Sequence, residues 1–407
     1  MYVIDYLFLG FAFISLYLMA LFMMLFIKNR EMMFSEQPHP EVLPSISLII
    51  PAYNEASHIV ETIRAAKSLS YPSELFEIIV LDDGSSDGTA EAAAAEGVRV
   101  ISQKNAGKSA ALNVGVKAAQ GEIVGCIDAD SYPMSDALLK MVPYFDEKRV
   151  AAVTSSIFVK DPKNFLEKLQ EMEYILIAWN RKLLDYLHSV YVTPGPLSLY
   201  RKQVLEKIGG FKGAVLTEDI EIAWRLQKEG YLIRMALPAK VFTRVPSSFK
   251  KWWSQRLRWD IGGIQTVNAY RQEFLSRRHG IFGMFVVPYF SLSIIISLLG
   301  LGLFIYLVVL RVSNFLDFWY YAQRAGVSVF EFFLIDLMPN VFTVMGVLVF
   351  VLSIVYLVVG LRSMKKSLLN VRTFFEMLVY LSVYLFLFPI LLVQSFWRLM
   401  VYKKQKW

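Results

Sequence analysis

The strongest constraint on this chain is the placement of its long apolar runs. One covers about Tyr6–Ile27, and three more follow Arg278, near Gly283–Leu310, Pro339–Leu361 and Phe374–Trp397. Each is long enough for a helix to cross the hydrocarbon core of a bilayer. Between the first run and the others, from Ser45 to about Val245, the composition becomes that of a soluble α/β domain. A hydrophobic fraction of 56% and a mean hydropathy of +0.45 over 407 residues agree with a chain that lives partly in lipid.

Lys28 and Arg30 follow the first run and predict a cytoplasmic exit. The run starts with Asp5, where a secretory signal peptide carries basic charge, and it has no clear small-residue cleavage site. It is therefore expected to remain as an anchor. Four spans with 362–372 in the cytoplasm would leave the basic tail Lys403–Lys406 outside, against the positive-inside tendency; a re-entrant or interfacial segment within 281–337 would repair this. The net charge of +7 gathers beside the apolar runs, at Lys28 and Arg30, Arg277 and Arg278, Lys365 and Lys366, and the tail. That placement suits membrane lipids, and no nucleic-acid-binding motif accompanies it, so nucleic acid is not an expected partner. The single cysteine, Cys126, excludes an intrachain disulfide framework and a thiolate zinc cluster, and is expected in the core.

Within the central region, short apolar runs at Ile46–Ile50, Ile78–Leu81, Val98–Ile101 and Ile123–Ile127 alternate with helical stretches at Ala56–Ser68, Gly88–Ala95 and Lys108–Ala119. This predicts a mostly parallel sheet covered by helices. Ligands of such sheets bind beyond the carboxyl ends of the strands, where Pro51–Glu55, Asp82–Asp87 and Asp128–Asp130 fall.

In Pro51-Ala52-Tyr53-Asn54-Glu55, backbone and side chains can face a bound base. A carboxylate of Asp82-Asp83-Gly84-Ser85-Ser86-Asp87-Gly88-Thr89 can accept from an imide such as uracil N3, although the same run also suits a turn and helix cap. Asp128 and Asp130, one residue apart at a strand end, offer hard oxygen ligands for Mg²⁺ or Mn²⁺, or form an acidic turn. Gly107-Lys108-Ser109 lacks the earlier glycine of a Walker A loop, yet a helix starting near Lys108 presents its dipole and an ammonium to a phosphate. Thr217-Glu218-Asp219 predicts a helix start capped by Thr217. Its carboxylates Glu218 and Asp219 are catalytic candidates, Asp219 as a general base toward an acceptor hydroxyl.

Two segments mix charge with large apolar side chains, Asn164–Leu184 and Phe249–Trp259, and are expected at the headgroup level or as solvated helices. The second contains Gln255-Arg256-Leu257-Arg258-Trp259. Gln255 and Arg258 can meet a departing diphosphate, and Trp259 can stack on a sugar ring; a membrane anchor is the alternative.

In order, PAYNE, DDGSSDGT, NAGKSAALNVG, DAD, GPLSLYR, TED and QRLRW resemble the membrane-integrated family 2 glycosyltransferases, a group that includes hyaluronan, chitin, cellulose and poly-N-acetylglucosamine synthases. The resemblance covers roughly Ser45–Gly263. It implies a GT-A (Rossmann-like) α/β catalytic domain on the cytoplasmic face of the cell membrane and inverting single displacement from a UDP-sugar. The β-linked product would leave through the membrane helices. By motif, Tyr53, Glu55 and Asp83 would hold the nucleotide, Lys108 and Asp128 the diphospho-sugar, and Asp130, beside Asp128, the metal. Asp219 would be the base, Gln255 and Arg258 donor contacts, and Trp259 the acceptor platform.

The implied organisation is a transmembrane helix over 1–30, a linker over 31–44 and the catalytic domain over 45–248. An interfacial region over 249–282 and about three spans over 283–407 follow. The TEDIEIAW and QRLRW segments are most similar to poly-β-1,6-N-acetylglucosamine synthases and GPLSLYR to hyaluronan or chitin synthases, which points to UDP-N-acetylglucosamine. The preferred expectation is a processive synthase elongating a glycan; the alternative adds one sugar to a ceramide- or polyprenyl-type lipid. A transporter that only binds nucleotide sugars would want intramembrane charge or repeated broken helices, in which these spans are poor.

Overall fold

The computed structural model describes residues 3–38, 40–326, 328, 341–366 and 371–401. Its centre is one eight-stranded sheet of order β3-β2-β1-β4-β7-β6-β8-β5. The strands are β1 (Ile46–Ala52), β2 (Phe76–Asp82), β3 (Arg99–Ser102), β4 (Ile123–Cys126), β5 (Ser131–Pro133), β6 (Val150–Val159), β7 (Ser198–Arg201) and β8 (Leu232–Thr243). The first four are parallel, as expected. Beyond them the sheet is mixed: β7 runs antiparallel to both β4 and β6, β6 is parallel to β8, and β5 is antiparallel to β8.

Side-chain alternation along the strands builds two cores. Ile49, Leu81 and Val124 face one layer, while Leu48, Ile50, Val80 and Ile123 face the other. Leu48, Ile49 and Ile50 are fully buried, so neighbouring positions of β1 feed both layers, and each such side chain contributes about 1.5–3 kcal/mol. The helices flanking this half are α2 (Ile59–Lys67), α3 (Thr89–Ala95) and α4 (Lys108–Ala118). α1 (Val3–Asn29) precedes the sheet, and α5 (Ala137–Met141) lies between β5 and β6.

α6 (Phe165–Asp185) starts with a capping box: Asn164 accepts from the Glu167 N–H, and the Glu167 carboxylate accepts from the Asn164 N–H. α7 (Lys202–Lys207), α8 (Glu218–Lys228) and α9 (Phe249–Ala269) complete the domain. α6 and α9 are the two segments expected at the headgroup level. One tryptophan of each has no exposed surface: Trp179, because α6 packs on β6 and β8 on one side and on apolar helices on the other, and Trp252, because α9 packs on the last apolar segment at Tyr384.

Four helical segments are long and apolar enough to cross a membrane: Asp5–Asn29, Phe282–Ala325, Val344–Ser363 and Arg372–Val401. They correspond to the four expected runs. The second contains α10 (Val287–Ala325), unbroken for 39 residues, or about 58 Å at 1.5 Å per residue. It therefore runs well past Leu310, where the apolar run was expected to end, and has no re-entrant break. The rest of 281–337 includes positions outside the described residues, as does the tail 403–406. The third segment is α11 (Val341–Ser363). The fourth comprises α12 (Val371–Val379), a π-helical turn at Tyr380–Tyr384, and α13 (Leu385–Val401).

These apolar segments share a core with the sheet domain. Leu169, Met172 and Leu176 of α6, Trp252 and Leu257 of α9, Leu361 of α11 and Tyr384 form one cluster. Gly360 lies so close to the Trp179 ring that a Cβ there would collide with it, and the Tyr356 hydroxyl donates to Asn180.

Candidate active site

Three loops at the carboxyl ends of β1, β2 and β4 meet in one region. Loops 53–56 and 85–89 are clasped together: the Asn54 N–H donates to Ser85 Oγ at 2.9 Å, Ser86 N–H to Asn54 Oδ1 at 2.9 Å, and Glu55 N–H to Thr89 Oγ1 at 2.9 Å. Asn54 takes a left-handed φ of 54°, a conformation asparagine tolerates better than most residues. Tyr53 stands 52% exposed at this edge, open to a planar ligand. Glu55 contacts His58 Nδ1 at 3.0 Å.

Asp83 has a structural task that its sequence context did not reveal. It is buried and accepts from Gln103 Nε2 at 2.6 Å, Ala106 N–H at 2.9 Å and Gly107 N–H at 2.8 Å. These bonds shape the turn that ends at Gly107, whose φ of 89° favours glycine, and deliver Lys108 to the first position of α4.

Lys108 is the hub of the site. Its ammonium lies 2.6 Å from Asp128 Oδ1 and 3.1 Å from Glu218 Oε1. Burial opposes the charge, but Asp128, Glu218 and Asp219 together hold it well above the ordinary lysine value. Lys108, Asp128, Glu218 and Asp219 line one cavity with Pro51, Cys126 and Gly195. The two carboxylates of α8 differ in surroundings: Glu218 pairs with Lys108, while Asp219 Oδ1 accepts the Ile220 N–H at 3.0 Å. Burial and the Glu218 charge push the Asp219 carboxyl up to about 7, against the pull of Lys108. Thr217 precedes α8 but does not cap it through its side chain; its Oγ1 is buried without a hydrogen-bond partner among the described residues.

Asp130 sits where β5 pairs with β8, and accepts from Ser131 Oγ at 3.3 Å and Thr243 Oγ1 at 3.4 Å. Burial, then Asp128, then Glu55 raise its carboxyl to about 6. A buried acidic group with two acidic neighbours fits a divalent cation, which would relieve all three. Among the described residues no set of three or more His, Cys, Asp or Glu side chains forms a cage. Mg²⁺ does not require one, since diphosphate oxygens and water complete its shell.

Gln255, Arg258 and Trp259 lie on α9, half-buried, outside the cavity lining. α9 reaches the site by two contacts: the backbone of Gly262 abuts the Thr217 side chain, and Gln265 Oε1 accepts the Leu216 N–H at 3.0 Å. Gln255 Oε1 accepts from Arg256 Nη1 at 2.7 Å. Arg256 itself is buried, ion-paired to Glu173 of α6, and its guanidinium lies 4.1 Å from the Trp259 ring centroid. The Tyr384 hydroxyl donates to Glu173 at 2.6 Å and accepts the Trp252 indole N–H at 2.7 Å.

Residues 47–209 match the profile of the family described as Glycosyl transferase family 2. The chain carries a family 2 glycosyltransferase domain. Over 250 residues it is 31% identical to the poly-beta-1,6-N-acetyl-D-glucosamine synthase of Staphylococcus aureus, covering 59% of this chain and 60% of that protein. It is 32% identical over 257 residues to the probable glycosyltransferase YdaM of Bacillus subtilis, covering 60% of this chain and 61% of the other. The chain thus spans about three fifths of the length of these curated relatives. In fold it matches a mannosyltransferase from Pyrobaculum calidifontis solved with GDP-Man and Mn²⁺, with a TM-score of 0.52 and 20% identity over 86% of this chain and 98% of that one. The glycosyltransferase domain therefore has the GT-A-like fold.

Two further residues shape the surroundings of these side chains without a local signal in the sequence. Gly195 gives its carbonyl to the Asp128 N–H, and a Cβ at 195 would collide with the Asp128 carboxylate. Gly195 stood inside the GPLSLYR motif, but nothing local pointed to Asp128. Arg256 stood inside QRLRW, while its partners Glu173 and Tyr384 lie 83 and 128 residues away in sequence.

Proposed function

We propose that this chain is an inverting, UDP-sugar-dependent β-glycosyltransferase that polymerises N-acetylglucosamine at the inner leaflet of the cell membrane and passes the glycan across it. Its catalytic domain would face the cytoplasm. The observation that carries this reading is Lys108 bridging Asp128 and Glu218 in a cavity that also holds Asp219. The identity with a poly-β-1,6-N-acetylglucosamine synthase supports the choice of sugar.

In this mechanism Tyr53, Glu55 and Asp83 border the nucleotide, and Lys108 turns from its carboxylates to the donor diphosphate. Asp130, with Asp128 beside it, would hold Mg²⁺ or Mn²⁺, which supplies positive charge to that diphosphate when bound. The acceptor hydroxyl oxygen forms a bond to the anomeric carbon on the face opposite UDP. The bond from that carbon to the β-phosphate oxygen breaks, and its electron pair leaves with UDP. The hydroxyl proton passes to Asp219, whose Oδ1 is held by the Ile220 N–H. Gln255 and Arg258 steady the departing diphosphate, and Trp259 carries the acceptor sugar on its ring face.

The test is to incubate the purified chain with a panel of UDP-sugars and Mg²⁺ or Mn²⁺, then size the product. A ladder of long glycans from UDP-N-acetylglucosamine is expected. A single sugar on an extracted lipid would replace the polymerase reading with that of a lipid glycosyltransferase.

A further inference from the structure

The one carboxylate on α9 takes no part in the proposed mechanism. Asp260 follows Trp259, and its Oδ2 is buried with no hydrogen-bond partner among the described residues. Arg256, one turn earlier, gives its two Nη groups to Glu173, Tyr384 and Gln255, and its Nε, like Asp260 Oδ2, is buried without a hydrogen-bond partner among the described residues. Burial pushes the Asp260 carboxyl up to about 7; Arg256 opposes this and Glu173 adds to it. An orphaned carboxylate oxygen outside the candidate spans is a cost that a ligand's donor would remove.

The adjoining glycines show where a ligand has room. A Cβ at Gly262 would collide with Thr217, whereas one at Gly263 would meet nothing within 4 Å. On a helix, Gly263 lies four residues after Trp259 and three after Asp260, so the open space beside it adjoins both side chains. The open space is thus flanked by a half-buried indole and an unpartnered carboxylate oxygen. Such a pair suits a neutral glycan: the ring takes the C–H face of one pyranose, and the carboxylate accepts from the hydroxyls of the next.

We propose that Asp260 and the open space beside Gly263 form a second acceptor subsite, next to the sugar carried by Trp259, that holds the sugar behind the reacting end of the glycan. This inference rests on the glycan-acceptor reading above. It assigns Asp260 to binding and not to proton transfer.

The test uses the full chain in detergent or nanodiscs, with β-linked N-acetylglucosamine dimer and tetramer as probes and UDP as the donor-side control. The wild-type chain is expected to bind the tetramer more tightly than the dimer. Asp260→Ala should weaken tetramer binding about tenfold and abolish the advantage of length, with UDP affinity within about twofold; Asp260→Asn should fall between. Gly263→Leu, which fills the space without touching the carboxylate, should lose the same advantage. Tetramer binding unchanged in all three variants overturns the subsite while leaving glycan synthesis standing. A wild-type chain that binds no tetramer and transfers sugar only to lipid overturns both.

Discussion

Asp128 and Gly195 touch through both backbone and side chain: the Asp128 N–H donates to the Gly195 carbonyl at 3.0 Å, and the Asp128 carboxylate fills the space a Cβ at 195 would need. The carboxylate so placed is the one that meets Lys108. Gly195→Ala is expected to displace Asp128 and weaken UDP-sugar binding by about tenfold or more, read as donor Kd. The variant should stay folded, because the displaced group lies at the cavity and not in either core. Unchanged donor affinity would separate this contact from donor binding.

The acid limb of activity should report Asp219. Its carboxyl must be ionised to accept a proton, and its pKa is raised from 3.8 to about 7, so kcat/KM should fall as pH drops below about 7. Glu218 contributes to the rise and Lys108 opposes it. Glu218→Gln should therefore move the limb of the residual activity to lower pH, and Lys108→Met to higher pH. A limb near the ordinary carboxylate value in the wild-type chain, or shifts of the opposite sign, would contradict Asp219 as the titrating base.

The buried Glu173–Arg256 pair joins α6 to α9, and Tyr384 ties both to the last apolar segment. Glu173→Ala leaves the Arg256 guanidinium buried without its carboxylate, at a cost of about 3–5 kcal/mol. Tyr384→Phe leaves the Trp252 N–H without an acceptor, for about 1–3 kcal/mol. Thermal unfolding of the purified variants should rank wild type above Tyr384→Phe, and that above Glu173→Ala. Equal midpoints would show that the network is not what holds α9 in place.

Gly262 is where α9 meets the start of α8. A methyl there would push against Thr217, next to Glu218 and Asp219. Misplacement of a reacting group by about 1 Å can cost about 100-fold, so Gly262→Ala should lower kcat by up to that factor with donor KM little changed. A variant with wild-type kcat would show that α9 and α8 are not geometrically coupled in the reaction.

Local pattern was enough to read the parallel half of the sheet, because Ile46–Ile50, Ile78–Leu81, Val98–Ile101 and Ile123–Ile127 each carry a short apolar run beside a helix-forming stretch. The mixed half was not legible. β7 is only four residues long and lies between β4 and β6, and no local periodicity states which strand it will pair with. The same limit applies in the site. Lys108, Asp128, Glu218 and Asp219 could be named from their motifs, but the ion pairs joining them arise from chain closure over many residues. Thr217 looked like a cap, yet its hydroxyl is pinned against Gly262. Trp252 and Arg256 have headgroup-like chemistry, and only the distant Glu173 and Tyr384 make them interior residues.

The most direct test of the central claim is Asp219→Asn, which keeps the shape of the side chain and removes its basicity. Binding of UDP-N-acetylglucosamine and rate of sugar transfer would be measured on the same purified chain. Donor affinity within about twofold of wild type, with transfer reduced by about 100-fold or more, is the predicted result. Transfer retained at the wild-type rate would contradict the assignment of Asp219 as the base and with it the proposed mechanism.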